Sequence, residues 1–231
     1  MRLIKWLLRK LYYSFYRKIF PEYRVELEKA VGNCKTLLDV GCGPDSPIKP
    51  FSGKLYSVGV DAFRPSIEKS KKEGIHNKYY MTDVLKIGKL FKAGSFDCVL
   101  ASDLIEHLTK EDGCKLLDIM EKIARRKVIV FTPNGFMPQG EFGGNPWQIH
   151  KSGWYVDEMR GRDYKVIGIN GLKPLRWGGQ EEKFGEHFTD IKFWPKYFWL
   201  VVSDMTQLFV RNHPKYAFQI LCVKTIKTEK L

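Results

Sequence analysis

Two glycines and an acidic residue lie where an apolar run of the sequence gives way to a turn. The run 36–40 contains Asp39, and Gly41 and Gly43 follow it. The run predicts a buried β-strand and the glycines predict a tight turn at its carboxyl end. Glycine adopts backbone conformations closed to other residues and leaves room for a ligand. Because open α/β sheets bind ligands at this edge, we expect a binding site here, with Asp39 accepting from a ligand amino group.

Two further acidic residues end the next two predicted strands. Asp61 follows the run 55–60, and Asp83 closely follows the run 78–81. A carboxylate at the end of the second strand can accept hydrogen bonds from both hydroxyls of a ribose, and Asp83 is placed to meet an adenine amino group. Each carboxylate alone could be a surface acid or a helix cap. Three of them on successive strand ends, beside a glycine turn, predict a nucleoside site.

The residues after the glycines restrict the kind of nucleoside. Dinucleotide sites use G-x-G-x-x-G, whose third glycine lets a helix pack closely and direct its N-terminus at pyrophosphate. Here Ser46 occupies the third position, Pro44 and Pro47 crowd the turn, and no long helix fits before the run 55–60. The sequence therefore disfavours a dinucleotide, although an NAD-dependent oxidoreductase stays open as an alternative.

Apolar runs that alternate with helical patterns must position these acids. Such alternation predicts a doubly wound, mostly parallel seven-stranded α/β sheet with helices on both faces. The pattern loosens after residue 135, and we expect the last strand to pair antiparallel with its predecessor. The predicted strands are 36–40, 55–60, 78–81, 96–101, 127–131, 165–170 and 217–225, and the predicted helices are 65–72, 110–125, 154–160 and part of 196–211.

Length and composition fit one large domain with elaborations. The chain has 231 residues, of which 44% are hydrophobic and 14% aromatic, enough apolar surface to offset the entropy of ordering. Its five cysteines include no C-x-x-C pair, which predicts no disulfide framework and no metal site and favours a reducing compartment. We divide the chain into three parts. Residues 1–30 form an N-terminal helix or cap, and residues 31–135 form the cofactor-binding half, which carries the predicted nucleoside site. Residues 136–231, with loop insertions, form the acceptor-side half, which would bind a second substrate, the acceptor.

Residues 1–20 predict a basic amphipathic helix. They include six basic residues and no acidic one, with apolar side chains on one face and basic ones opposite. Charges recur too often for a signal peptide or a membrane span. The helix could cap the domain, bind an anionic membrane surface or contact nucleic acid. We therefore expect a cytoplasmic protein, with peripheral contact at the inner face of the membrane as the alternative to a cap.

The glycine turn, the strand-end acids and the strands that carry them together resemble the class I S-adenosylmethionine-dependent methyltransferases. Within this class the resemblance is to the broad type 11-like group. The resemblance covers 36–135 strongly and 136–225 in outline. It implies a Rossmann-like methyltransferase fold, S-adenosyl-L-methionine as cofactor and methyl transfer as activity, but almost nothing about the acceptor. The turn at 44–47 and the short first helix depart from the family pattern. The matching segments are 37–43, Asp61, 82–84, 96–108 and 132–134.

The resemblance also implies roles for individual residues. The glycine turn would lie along the methionine portion of the cofactor. Asp39 would bind its amino group, Asp61 its ribose and Asp83 its adenine amine, while backbone near Ser102 would lie close to its amino-acid end. The residues implied to bind the cofactor are Asp39, Gly41, Gly43, Asp61, Ala62, Asp83, Val84 and Ser102.

Two histidines are candidates for a general base. Alignment of acceptor and methyl group supplies much of the rate of methyl transfer, but a hydroxyl acceptor also needs a base within hydrogen-bond reach. His107 follows the fourth predicted strand on the cofactor side, and His150 lies in the Gly/Pro-rich loop after the fifth. His187 is a weaker candidate, and His76 and His213 are predicted at the surface.

The acceptor is the least determined part of the prediction. Aromatic residues in 184–199 could line an acceptor pocket or form the core of a lid. We predict a small-molecule acceptor, such as a saccharide or a lipid-linked intermediate. The net charge of +13 raises the alternative of an RNA methyltransferase, but the charge is spread along the chain and no RNA-binding module is apparent. A non-catalytic nucleoside-binding protein is the remaining alternative.

Overall fold

Seven strands form one sheet in the order β3-β2-β1-β4-β5-β7-β6 in the computed structural model, which describes residues 23–141, 144–176 and 191–226. The helix predicted at 1–20 lies outside the described residues. The strands are β1 (Thr36–Val40), β2 (Tyr56–Asp61), β3 (Lys78–Met81), β4 (Phe96–Ser102), β5 (Ala124–Pro133), β6 (Lys165–Leu172) and β7 (Ala217–Thr225).

Strands β1 to β6 run in the same direction, and β7 runs opposite to them. β7 lies between β5 and β6 and pairs antiparallel with both. The predicted α/β sheet and the antiparallel pairing of its last two strands are therefore confirmed. The sequence did not indicate that β7 would also bond to β5. The position of β7 between β5 and β6 places the carboxyl end of β5 beside the amino end of β7. There Asn134 Nδ2 donates to the carbonyls of Pro214 and Ala217.

Helices connect the strands where the sequence leaves room for them. Between β1 and β2 the chain forms only a 3-10 helix, Lys49–Lys54, because this connection is short and carries Pro50 in its first turn. The predicted helix within 196–211 is divided in two at Thr206. The α-helices are α1 (Tyr23–Val31), α2 (Arg64–Lys72), α3 (Lys110–Ile123), α4 (Val156–Gly161), α5 (Lys196–Met205) and α6 (Gln207–Val210).

Two apolar layers bury the faces of the sheet. Side chains alternate between them along each strand, so that Leu37 packs in one layer and Leu38 in the other. In the layer that contains α3, Gly113 makes room for Trp154, since a Cβ on Gly113 would lie 2.4 Å from the indole ring. All five cysteines are free, which agrees with the predicted absence of disulfides. Among the helices of the described ranges, none is long and apolar enough to cross a membrane.

Candidate functional site

The glycine turn after β1 has the backbone that the sequence predicts. Gly41 and Gly43 have φ angles of +68° and +57°, a region that favours glycine. A Cβ on Gly41 would lie 2.6 Å from Leu104 Cδ1, whereas a Cβ on Gly43 would meet nothing within 4 Å. Gly41 is therefore needed for packing, and Gly43 borders open space at the carboxyl edge of the sheet.

Asp61 ties the end of β2 to this turn. Its Oδ2 accepts from the backbone N–H of Gly43 at 2.9 Å, and its Oδ1 accepts from that of Phe63 at 2.8 Å. Burial raises the pKa of Asp61, while these two N–H groups act in the opposite direction. Because a carboxylate oxygen can accept more than one hydrogen bond, both oxygens keep acceptor capacity for ribose hydroxyls.

Asp39 lies beneath the turn in a buried polar network. It is 1% exposed, and its Oδ2 accepts from Ser46 Oγ at 2.5 Å and lies 2.9 Å from His76 Nε2. The prediction of His76 at the surface is therefore wrong. After α2 the chain turns back at 74–77, which carries the imidazole under β1 and edge-on to Tyr79. Within the described residues Oδ1 of Asp39 has no hydrogen bond, so it is the oxygen left for a ligand.

At the adenine end, Asp83 serves as a helix cap. Its Oδ1 accepts from the backbone N–H of Leu85 at 2.9 Å, at the start of a 3-10 helix, Val84–Lys89. Val84 points into the core, whereas Ala62 is exposed at the end of β2. Asp83 therefore caps a helix, which was the alternative to a ligand-binding role. Its Oδ2 stays available for an adenine amine.

Tyr23 lies beside the predicted cofactor site, a position that the sequence did not reveal. Its ring stacks on Phe131 with centroids 3.6 Å apart, and its hydroxyl donates to Ser102 Oγ at 2.8 Å. Burial raises the pKa of Tyr23, and the charge of Asp103 raises it further, so the phenol remains protonated. Tyr23 belongs to a segment that the sequence assigns to a cap. Its contacts place α1 at the end of β4 beside the predicted cofactor site.

The two candidate bases come together although they are far apart in sequence. The ring centroids of His107 and His150 lie 4.8 Å apart. His107 Nδ1 lies 3.4 Å from the carbonyl oxygen of Ile149, and His150 Nδ1 lies 2.6 Å from that of Met137. Burial, with a smaller contribution from His150, lowers the pKa of His107 to about 4, and burial also lowers the pKa of His150. Both rings are therefore neutral at pH 7.

Glu106 joins this pair and was not selected from the sequence. It is 2% exposed, and its Oε2 accepts from Thr132 Oγ1 at 2.9 Å. Burial raises the pKa of its carboxyl group well above the usual value, and the nearby charge of Asp103 adds to this effect. The adjacent Glu106 and His107 are the only hint of the cluster in the sequence, because its third member lies on a different loop.

The loop after β5 exposes aromatic side chains near this cluster. Phe136 and Trp147 are about half exposed, and Lys151 lies 6.0 Å from the Trp147 ring centroid. Of the predicted aromatic cluster in 184–199, Trp194 and Phe198 are exposed. The other part of that prediction, at 184–190, lies outside the described residues, as does His187.

Comparisons with known proteins agree with this geometry. Residues 38–132 match the family described as a methyltransferase domain. A S-adenosylmethionine-dependent methyltransferase from Archaeoglobus fulgidus shares the fold, with a TM-score of 0.54 and 16% identity over 93% of this chain and 99% of that one. The phosphoethanolamine N-methyltransferase 2 of Haemonchus contortus, solved with S-adenosyl-L-methionine, also has a TM-score of 0.54 and 16% identity, over 89% of this chain and 52% of that one.

No curated protein sequence matches the chain significantly. The family match spans the glycine turn, the three strand-end acids and the strands that carry them. Its boundaries coincide with the segment in which β1 to β5 form the parallel half of the sheet. Residues 38–132 are therefore similar to methyltransferase domains, and the sheet has the Rossmann-like methyltransferase fold.

Proposed function

We propose that this methyltransferase transfers the methyl group of S-adenosylmethionine to a small-molecule acceptor, such as a saccharide or a lipid-linked intermediate. The observation that carries the proposal is the meeting of two neutral histidines, His107 and His150, beside a loop with exposed aromatic rings. Aromatic faces bind apolar or flat surfaces, and a neutral imidazole can accept a proton from a hydroxyl.

The cofactor-binding residues of the proposal fit the cofactor in shape and in chemistry. Gly43 leaves space above the turn, and Asp61 offers two carboxylate oxygens already oriented by backbone N–H groups. Asp83 and Ala62 border the space expected for adenine, while Asp39 and the backbone near Ser102 lie toward the methionine end. When bound, S-adenosylmethionine supplies an activated methyl group on a positively charged sulfur.

The protein's own groups would align the acceptor and manage its proton. An aligned acceptor reacts faster because its translational and rotational entropy has already been lost on binding. His150 is the better base of the pair, since it is more exposed than His107 and its Nδ1 is held by the Met137 carbonyl. With Nδ1 carrying the hydrogen, Nε2 is the atom that accepts the acceptor's proton.

Calorimetric titration with S-adenosylmethionine tests the cofactor site. We expect saturable binding by the wild type and a loss of at least about 100-fold in affinity for Asp61→Ala, because buried ribose hydroxyls would lose their charged acceptor. Asp45→Ala is the matched control, since Asp45 is an exposed acid of the same turn that pairs with Arg24. Binding of NAD in place of S-adenosylmethionine would contradict the proposal.

Transfer of a labelled methyl group tests the acceptor class. The wild type would be incubated with labelled S-adenosylmethionine and with separate small-molecule, lipid and RNA fractions of a cell extract. We expect label in the small-molecule or lipid fraction and its loss with His150→Asn. Label that is released only by ribonuclease would instead establish the RNA alternative.

A further inference from the structure

Glu106, His107 and His150 have the donor atoms of a metal site. One ligand atom from each lies within 4.8 Å of the others, and within the described ranges no other group of three histidine, cysteine or acidic side chains does so. Glu106 and His107 lie in the 3-10 helix Ile105–His107, directly after β4, and His150 comes from the loop after β5. A single ion could therefore contact both elements.

The histidines are oriented as metal ligands usually are. Each Nδ1 faces a backbone carbonyl oxygen, Met137 for His150 at 2.6 Å and Ile149 for His107 at 3.4 Å. A hydrogen on Nδ1 fixes the tautomer in which the lone pair is on Nε2. Metal-binding histidines commonly have this second hydrogen bond, because it fixes the ring and makes the free nitrogen more basic.

Glu106 differs from the other buried carboxylates of the described chain. Glu26 pairs with Lys29 and Arg211, Asp97 pairs with Arg125, and Asp39 contacts His76. For Glu106 the same part of the chain offers the hydroxyl of Thr132 and the residue's own backbone N–H, with no cationic side chain. Because a buried carboxylate is costly without a positive partner, the position is suited to a cation that binds from outside.

We propose that Glu106, His107 and His150 bind a divalent first-row transition-metal ion, such as Mn²⁺, Fe²⁺, Co²⁺ or Zn²⁺. Two imidazoles and one carboxylate form a set of ligands that suits these ions, whereas Mg²⁺ and Ca²⁺ prefer oxygen. Three protein ligands leave coordination positions free, as in catalytic rather than structural sites. The sequence predicts no metal site, because its third ligand is far from the other two along the chain.

The inference deepens the proposed function and rests on it for its role. An acceptor hydroxyl or carboxylate would complete the coordination of the ion and so be held next to the exposed aromatic loop. A hydroxyl bound in this way releases its proton to water more readily, since the positive charge lowers its pKa. With the ion bound, the two histidines orient the acceptor through the ion, and this role replaces the direct proton transfer to His150 Nε2 that is proposed for the metal-free site.

Titration of untagged, chelator-treated protein with Co²⁺ tests the site. We expect one equivalent to bind with the visible absorption of Co²⁺ in a protein site, and Zn²⁺ and Mn²⁺ to displace it more effectively than Mg²⁺. His107→Asn and His150→Asn should each weaken binding by at least about 100-fold, since loss of even an outer partner costs 10–100-fold. His213→Asn is the control, because His213 is exposed and outside the cluster.

Calorimetry with S-adenosylmethionine on the same samples separates the two proposals. Metal binding that both cluster variants lose, and the control retains, supports the site whether or not the cofactor binds. Wild-type protein that binds the cofactor but not Co²⁺ overturns the metal site and leaves the proposed function in place. Co²⁺ binding that is unchanged in both cluster variants also overturns it, and circular dichroism confirms that the variants are folded.

Discussion

The turn after β1 and the loop after β5 lie at the same edge of the sheet but are held in different ways. The first is fixed from below by buried side chains, with Asp39 bound to Ser46 and His76, and Asp61 bound to Gly43. The loop after β5 is held largely through its backbone, as in the two hydrogen bonds that the carbonyl of Glu106 accepts from residues 151 and 152. Its aromatic side chains remain exposed.

This difference separates a preformed site from an adaptable one. Buried, charged hydrogen bonds hold donor and acceptor groups in fixed positions, which suits a ligand that is always the same. A loop whose backbone is anchored while its side chains face solvent can present different side chains to different acceptors. The turn after β1 therefore suits the cofactor that we propose there, and the loop after β5 suits the acceptor that we propose.

Alanine at two glycines, one in each half, should destabilise the fold to different extents and gives the largest predicted change. At Gly168 in β6, a Cβ would lie 2.2 Å from the carbonyl oxygen of Val210, so backbone must move and unfolding should become easier by about 3 kcal/mol. At Gly43 the added methyl meets no protein atom, and only the positive φ costs about 1 kcal/mol. Urea denaturation measures both changes.

The two variants should rank in the reverse order by their effect on cofactor affinity, with Gly43→Ala weakening binding more than Gly168→Ala. Gly43→Ala places a methyl group in the space assigned to the cofactor and should weaken S-adenosylmethionine binding at least about tenfold, or 1.4 kcal/mol. Folded Gly168→Ala should bind the cofactor as the wild type does. Unchanged affinity in Gly43→Ala would show that the cofactor does not approach this turn.

The cofactor half was predictable because its signals are local. Each of the first three strands is a short apolar run ended by a polar turn, and the observed ends differ from the predicted ones by at most one residue. The positive φ angles of Gly41 and Gly43 follow from residue type and position alone. The network beneath the turn was not predictable, because His76 reaches Asp39 only through the return of the chain after α2.

A pair of histidine variants compares the two regions more finely. His76→Asn removes the partner of a buried carboxylate, and we expect unfolding to become easier by about 2–3 kcal/mol. His150→Asn affects a half-buried ring in the loop, with an expected loss below about 1 kcal/mol when chelator is present. Urea denaturation of both variants at pH 7 gives the two values, and a larger loss for His150→Asn would invert the comparison between turn and loop.

The acceptor side was predictable only in outline, since its key contacts join distant segments. The antiparallel pairing of β6 with β7 could be expected from the missing crossover helix. The position of β7 beside β5 could not, because it depends on which sheet edge the chain reaches after α6. The meeting of His107 with His150 depends on the path of the whole loop 136–153, in which no local pattern fixes the backbone.

The smallest predicted effect concerns Asp97, at the sheet edge opposite both regions. Burial alone would raise the pKa of Asp97, but Arg125 and the backbone N–H groups of Lys35 and Thr36 outweigh it, so the pKa is lowered. A lowered pKa in the folded state contributes stability above the unfolded value near 3.8, and that contribution is lost as the pH falls through the folded pKa. Asp97→Asn should therefore reduce the urea midpoint at pH 7.

The same variant should differ less from the wild type as the pH falls below about 4. S-adenosylmethionine binding should be unaffected at pH 7, because Asp97 lies at the amino end of β4, away from the turns that form the site. A difference in urea midpoint that stays constant down to pH 2.5 would mean that Asp97 acts through packing and not through its charge. The effect on stability would then belong to the core of the sheet, and the contrast between the turn after β1 and the loop after β5 would rest on the glycine and histidine pairs alone.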